Sequence, residues 1–409
     1  MAMWRELLSR SAWLTAGSVV GRLAPYAVLI ALGRQLDPVA FASLSIAFAW
    51  ASVAASLVTA ALGAVTTQRL AADPGPGRRM LALRALGQGA AWSGLLTIAI
   101  AALGAPVAVR AFGDHLDPAA FWPALAHGLA WSLTLLVGAL LNGLHAVRRS
   151  ALVLGVGGIG QALGMGFGFV TGHSLGASLW GLALGSAASL ALGLVLLHGA
   201  LPPAEPCALQ KPRFRLDVAW GTLANAAVTP VAFAAAALVT RHGAPAEDLA
   251  QYQALEQVHQ LLLFAPGLIG QALLPLLAAH DRGSEAQRSL RPWVYRSAAA
   301  GLLAATLIGW RPEWVLHALG NPALTDLWAT RWMLCNASLA LALSLLHNEL
   351  MARRLYAPAA LLSLSWAAVF LGLGSLFGGV AGMQAGRLVA SLLLFAAVCA
   401  LTSRPFRSA

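Results

Sequence analysis

The sequence predicts an all-α integral membrane protein of about twelve transmembrane helices in two six-helix lobes. Three observations predict it. Hydrophobic residues make up 59% of the 409 residues, charged residues only 10%, and the mean hydropathy is +0.74. A soluble domain carries about 25% charged residues. The apolar runs recur at the spacing of a spanning helix plus a short loop. One proline-rich basic stretch interrupts them midway.

Residues 1–13 (MAMWRELLSRSAW) are too polar for the apolar core of a signal peptide. Trp4, Leu7, Leu8 and Trp13, set among Arg5 and Arg10, predict a short amphipathic helix at the membrane surface. The first lobe, 14–198, holds spans at 14–33, 39–66, 85–109, 122–144, 151–171 and 175–198. Residues 199–217 carry four prolines with Lys211, Arg213 and Arg215, which makes them a linker. The second lobe, 218–402, holds spans at 218–240, 249–279, 297–310, 327–350, 357–377 and 381–401. The run 297–310 is too short to cross a bilayer and is expected to extend at one or both ends. Residues 403–409 form a tail. None of the runs alternates as a barrel strand would. Two halves of equal span number suggest a structural repeat with a pathway at its interface, a reading that rests on hydropathy alone.

Nineteen of the 26 basic residues fall in segments that share one side if the N-terminus is cytoplasmic. The opposite side keeps Arg34, Arg110, Arg241 and Arg311, with Arg331 near a helix start. This asymmetry places both termini in the cytoplasm. Lys211 is the only lysine, and the arginines are scattered among loops, so the charge of +11 reads as topology and not as a nucleic-acid surface. Cys207, Cys335 and Cys399 are isolated, with neither metal-ligand nor disulfide spacing. No cofactor is expected.

Polar residues inside the spans are the candidates for function. Arg22 lies about 12 Å along the first span at 1.5 Å per residue. A guanidinium keeps its proton there, and on insertion scales a central Arg costs roughly 2.5–3.5 kcal/mol. Arg22 therefore either faces a polar cavity or snorkels to the surface. Pro25 follows within a turn. In span eight, Tyr252, Glu256, His259 and Gln260 share one helical face. Glu256 and His259 could pair with each other, bind a sugar or couple to protons or sodium. The alternative is a helix that begins later, with solvated first turns. Arg387 lies near the start of the last span, with Gln384 one turn away. Arg331 and Asn336 in span ten face a cavity or the interface. Asn348 and Glu349 read as boundary residues. His127 and Gln161 read as hydrogen-bond partners between helices, and the glycines of span five (GVGGIGQALGMGFGF) as a close-packing face.

No phosphate loop, HExxH or GxSxG motif occurs, so no enzyme is predicted. The turn GRQLDPVAF after the first span resembles a motif of the polysaccharide flippases of the MOP exporter superfamily, "AR-x-LGP-x-x-FG". Arg34, Leu36, Pro38 and Phe41 match it, whereas Gly33, Asp37 and Ala42 depart from it. The stretch 250–279 is similar to the family's eighth span, with Tyr252 early and Pro275 in "LLP". Length, span number and the basic linker agree across nearly the whole chain.

The resemblance implies a MOP/MATE-like fold and a flippase in the bacterial inner membrane. Its substrate would be a polyprenyl-pyrophosphate oligosaccharide, moved to the outer leaflet by alternating access among the membrane lipids. A polysaccharide polymerase and other assembly proteins are implied partners. The resemblance makes Arg22 the position for the pyrophosphate, with Arg387 and Arg331 as weaker carry-overs; Gln384 and Tyr252 join them as binding candidates by their place among the polar residues of the spans. A MATE-type exporter of cations would want acids in its cavity, and Glu256 is its best support. A lipid II flippase generally carries fourteen spans. A membrane-bound glycosyltransferase would need a large acidic outer loop, which the chain does not show.

Overall fold

The computed structural model describes residues 2–33, 61–104, 118–203, 228–241, 246–263, 285–319, 326–353 and 355–403, with gaps near 74, and scattered residues around 35–47, 110–112 and 219–224. The described regular elements are all helical. In the first lobe they are α1 (Ala2–Gly33), α2 (Ala61–Ala72), α3 (Arg78–Ala99), α4 (Pro118–Gly143), α5 (Val147–Gly172) and α6 (Leu175–His198). In the second they are α7 (Val228–Arg241), α8 (Ala246–Leu262), α9 (Glu285–Gly309), α10 (Glu313–Leu319), α11 (Leu327–Ser338), α12 (Ala340–Ala352), α13 (Tyr356–Phe377) and α14 (Gly379–Ser403). Among the described residues, seven helices are long and apolar enough to cross a bilayer. Their large apolar side chains point outward as lipid-facing residues must: Phe167, Leu184 and Leu376 are all well exposed.

Several boundaries differ from expectation for identifiable reasons. The amphipathic start and the first span form one continuous helix, α1, which passes through Pro25. The short ninth run gains three turns at its N-terminal end, so α9 reaches 25 residues. Span ten is two helices meeting at Leu339. A Cβ on Gly301 of α9 would lie 2.1 Å from the Ser338 carbonyl oxygen, so a neighbouring helix presses closely on that break. Asp326 starts α11 by accepting the Trp328 and Ala329 amides at 2.8 and 3.0 Å. Span three begins at Arg78 and ends in a π-helical turn, Ile100–Gly104. Of the linker, residues 199–203 are described; 204–218 and the tail 404–409 lie outside the described residues.

Backbone-to-backbone packing holds the first lobe together. Gly17 and Gly21 of α1 lie against Ala151, Leu154, Gly155 and Gly158 of α5. On α5's other flank, Gly160, Gly164 and Gly168 meet Gly185, Gly181 and Ala177 of α6. Lipid offers no hydrophobic drive for helix association, so close approach through small residues supplies it by dispersion. His127 of α4 and Ser186 of α6 add a buried bridge, Nδ1 to Oγ at 2.7 Å. Gln161, expected to bridge helices too, is buried with its amide nitrogen unpartnered among the described residues.

The lobes meet in two seams. At the first, Ile46, Ile100, Phe112, Phe121 and Leu125 join one apolar cluster with Val231, Tyr252, Met333 and Met383. Phe112 and Phe233 stack edge-on there, with centroids 5.1 Å apart. At the second, Val65 and Val147 pack with Ala342, Leu345, Tyr356 and Val398. The Tyr356 hydroxyl donates to Gln68 Oε1 across this seam. Glu349, expected as a boundary residue, is instead fully buried in α12 and pairs with Arg353.

A Cβ on Gly158 would sit 1.8 Å from the Gly21 carbonyl oxygen, whereas one on Gly166 meets nothing within 4 Å. Gly158→Ala should therefore destabilise the protein by about 1–3 kcal/mol, and Gly166→Ala should not. Thermal unfolding of the two variants in detergent checks this; equal midpoints would contradict the packing.

A buried charge cluster in the second lobe

Helix α8 carries the polar stripe, and its first turn holds Glu247 and Asp248, where carboxylates suit the helix dipole. The helix begins at Ala246, and Gln251, Tyr252 and Gln253 are buried. The early turns are thus interior, and the alternative of solvated turns does not hold. Tyr252 packs in the first seam's cluster and points its hydroxyl at the Ala232 carbonyl of α7, 3.5 Å away.

Glu256 faces Arg387 of α14. Arg387 Nη1 donates to Oε2 at 2.5 Å and Nη2 to Oε1 at 3.3 Å, a two-pronged pair that joins residues 131 apart in sequence. Gln260 donates to Oε1 of the same carboxylate at 2.8 Å. The guanidinium also lies 5.5 Å from the centroid of the Phe370 ring. Arg387 is only 1% exposed. Snorkelling to the surface is therefore not its solution; a counter-charge is. His259 does not pair with Glu256. Its Nε2 meets the amide nitrogen of Asn336 on α11 at 2.7 Å. Three helices thus converge on one buried polar cluster, formed by Glu256, His259 and Gln260 from α8, Asn336 from α11 and Arg387 from α14.

Gln384 stands one turn before Arg387 on α14, is 1% exposed, and has both amide atoms without a partner among the described residues. The Nε of Arg387, Nδ1 of His259 and Oδ1 of Asn336 are likewise unpartnered. Along α14, Gln384 and Arg387 lie between Met383 and Ala390, both members of the first seam's cluster, to which Tyr252, Leu255, Met333 and Phe370 also belong. The polar cluster is therefore embedded in the first seam, away from the second.

Arg331 is held elsewhere. Its Nε donates to the Gly309 carbonyl at the end of α9, at 3.2 Å, and its guanidinium lies 5.0 Å over Trp328. With Trp310, Trp314 and Trp328 exposed nearby in sequence, this is the setting of an interfacial anchor. The backbone of Arg22 belongs to α1, one residue after the Gly21 that packs on α5. Its side chain lies outside the described residues, as do Arg34, Pro38 and Phe41 of the turn motif and Pro275.

Sequence reasoning listed Glu256 and Arg387 separately and missed their pairing. The signal was available: a lone acid and a lone base in apolar spans each need a partner. Phe370, beneath the guanidinium, carried no signal at all, since an apolar residue in an apolar helix is ordinary. Removing one member of a buried pair strands the other, at about 3–5 kcal/mol. Glu256→Ala and Arg387→Ala should each lower stability by that order, and the double variant by less than their sum. A double-mutant cycle on thermal midpoints measures it; strict additivity would show that the two do not interact.

Comparison with known proteins agrees with this architecture. A profile of the family described as polysaccharide biosynthesis protein matches residues 7–280, most of the chain. No curated protein matches the sequence. Among solved structures, the Vibrio cholerae MATE transporter VcmN superposes with a TM-score of 0.72 at 15% identity, covering 98% of each chain. A MATE protein in its bent conformation gives 0.71 at 14% identity, covering 98% of this chain and 96% of its own. An outward-facing multidrug resistance MATE transporter of the MOP superfamily gives 0.65 at 13%, covering 97% and 94%. At such identity these likenesses establish the fold: a two-lobe, twelve-helix bundle of the MATE type. With that fold and the extent of the family match, this multi-pass membrane chain belongs to the polysaccharide biosynthesis protein family of the MOP superfamily.

Proposed function

We propose that the protein is a flippase that carries a polyprenyl-pyrophosphate-linked oligosaccharide from the cytoplasmic to the outer leaflet of a bacterial inner membrane, with both termini cytoplasmic. The observation that carries this reading is the fixed cation Arg387, buried within the first interlobe seam in a chain of the polysaccharide biosynthesis family. A guanidinium binds phosphate oxygens through its planar fork and holds its charge at any working pH. Two seams of mostly apolar contacts, one at each level, suit a cycle in which one parts while the other stays shut. The apolar polyprenyl tail can remain in lipid while the head group crosses between the lobes. On this reading Arg22 receives the pyrophosphate on the cytoplasmic side and Arg387 further along the path, within the first seam. Gln384 and Tyr252 line the same path, and Arg331 lies at its outer edge. Polysaccharide polymerase and other assembly proteins are the partners that would take up the product.

Coupling to a proton or sodium gradient is assigned to the same cluster, through Glu256 and His259. The carboxylate of Glu256 also favours a second reading, a MATE-like exporter of cationic small molecules. That reading needs Glu256 free of Arg387.

In proteoliposomes loaded with a fluorescent polyprenyl-pyrophosphate saccharide, Arg22→Ala and Arg387→Gln should each slow translocation by about tenfold or more, the loss expected of a charge-assisted phosphate contact. Membrane abundance should be unchanged for Arg22→Ala. Wild-type rates in both variants would remove the flippase assignment of these residues. Efflux of a cationic dye that depends on Glu256 would favour the second reading. Collapsing the proton and sodium gradients should slow wild-type flipping, and a fully active Glu256→Gln would detach the cluster from coupling.

A further inference from the structure

A transporter for an anion has no evident need for a carboxylate on the cation that binds the anion, yet Glu256 occupies Arg387 from the front. Both terminal nitrogens of the guanidinium are used, Nη1 on Oε2 and Nη2 on Oε1. A phosphate oxygen pair that takes this end-on fork must displace the carboxylate from it, and Nε on the guanidinium's side edge stays open to a further oxygen. The pair is moreover not a crosslink within one helix. Its members stand on α8 and α14, and each helix supplies further polar atoms to the cluster.

The unpartnered atoms provide donors for a second arrangement. Arg387 Nε and Gln384 Nε2 on α14 are buried donors without acceptors among the described residues. His259 Nδ1 on α8 is likewise without a partner. A buried donor left unmade costs about 1–3 kcal/mol, so an acceptor brought to these three would be stabilised by them. An anion with several oxygens at the guanidinium would be such an acceptor. Glu256, for its part, keeps a partner when Arg387 is taken, because Gln260 donates to its Oε1 at 2.8 Å from the next turn of its own helix.

We infer that Glu256 is a built-in counter-anion, which holds Arg387 while the transporter is empty and gives it up to the diphosphate of the substrate. The inference rests on the lipid-diphosphate reading above and adds the reason an acid belongs in that site. Without Glu256, the empty protein would have to close its seams over a bare guanidinium. An unpaired buried charge of that kind costs several kcal/mol, which would hold an empty carrier open. With Glu256 in place, the enclosed pair is neutral, and the empty protein can close and return. The charged and titratable groups at this carboxylate, among the described residues, are Arg387 from α14 and Tyr252 and His259 from α8 itself. Asn336 of α11 contributes only a neutral amide, held on His259.

The test is a binding measurement on the full-length protein in lipid nanodiscs, with farnesyl diphosphate as the probe and farnesol as the uncharged control. Wild type should bind the diphosphate in preference to the alcohol. Glu256→Gln, which removes the competitor and keeps a hydrogen-bonding side chain, should bind the diphosphate about tenfold more tightly while its thermal midpoint falls and its flipping slows. Glu256→Gln combined with Arg387→Gln, a neutral pair, should lose the preference for the diphosphate. A purely structural ion pair predicts the same fall in stability for the single variant but equal or weaker affinity. That result overturns the inference and leaves the flippase reading standing. If Glu256→Gln does not fold, Glu256→Asp decides in its place, since the shortened carboxylate competes less well. Tighter binding supports the inference, and unchanged binding overturns it. A wild type that binds farnesyl diphosphate no better than farnesol overturns both the flippase reading and this inference.

Discussion

A guanidinium cannot discard its charge, and in a lipid-embedded bundle it cannot reach water from the centre of a lobe. Arg387 meets that constraint with Glu256, and much of the second lobe is arranged around their contact. Helix α8 must place its polar stripe inward, α14 must run alongside it, and α11 must bring Asn336 to His259. Phe370 closes the guanidinium's face. Gln260 secures the carboxylate so that it does not depend on Arg387 alone. The geometry is demanding because burial makes both the attraction and the penalty for misplacement large.

The first lobe is held by different physics. Its helices α1, α5 and α6 associate through glycine and alanine faces so close that carbonyl oxygens touch the opposing backbone. Such contacts tolerate little relative sliding, which makes α1, α5 and α6 a rigid plate. A rigid lobe facing a lobe with a charged interior is a suitable pair of parts for rocking motion. The plate can move as one body against a half whose interior holds the buried ion pair. The two seams differ as well. The first is apolar and aromatic, whereas the second adds the Tyr356–Gln68 hydrogen bond to its apolar contacts.

Much of this was legible in the chain. Periodicity and hydropathy located the helices, and α6 begins and ends where the apolar run does, because Ser174 caps its start by accepting the Ala177 amide. The glycine run of α5 announced its packing face. The i, i+4, i+7 and i+8 spacing placed Tyr252, Glu256, His259 and Gln260 on one side of α8. The break at Leu339 was not legible, since no Pro or Gly marks it and the close approach of Gly301 comes from a distant segment. Nor was the fate of Arg331, which resembles Arg387 in sequence but ends on Trp328 and the Gly309 carbonyl.

Sequence by itself determined that the chain spans a membrane, that its helices fall into two sets of six, and that a few charges would lie where charge is costly. Those conclusions follow from the transfer free energy of side chains, which is a local property. Which acid meets which base was decided only by tertiary structure. Glu256 and Arg387 are 131 residues apart, and no local rule distinguishes that pairing from one between Glu256 and its neighbour His259. The choice is made by helix packing, which brings α14 against α8 and turns His259 towards α11.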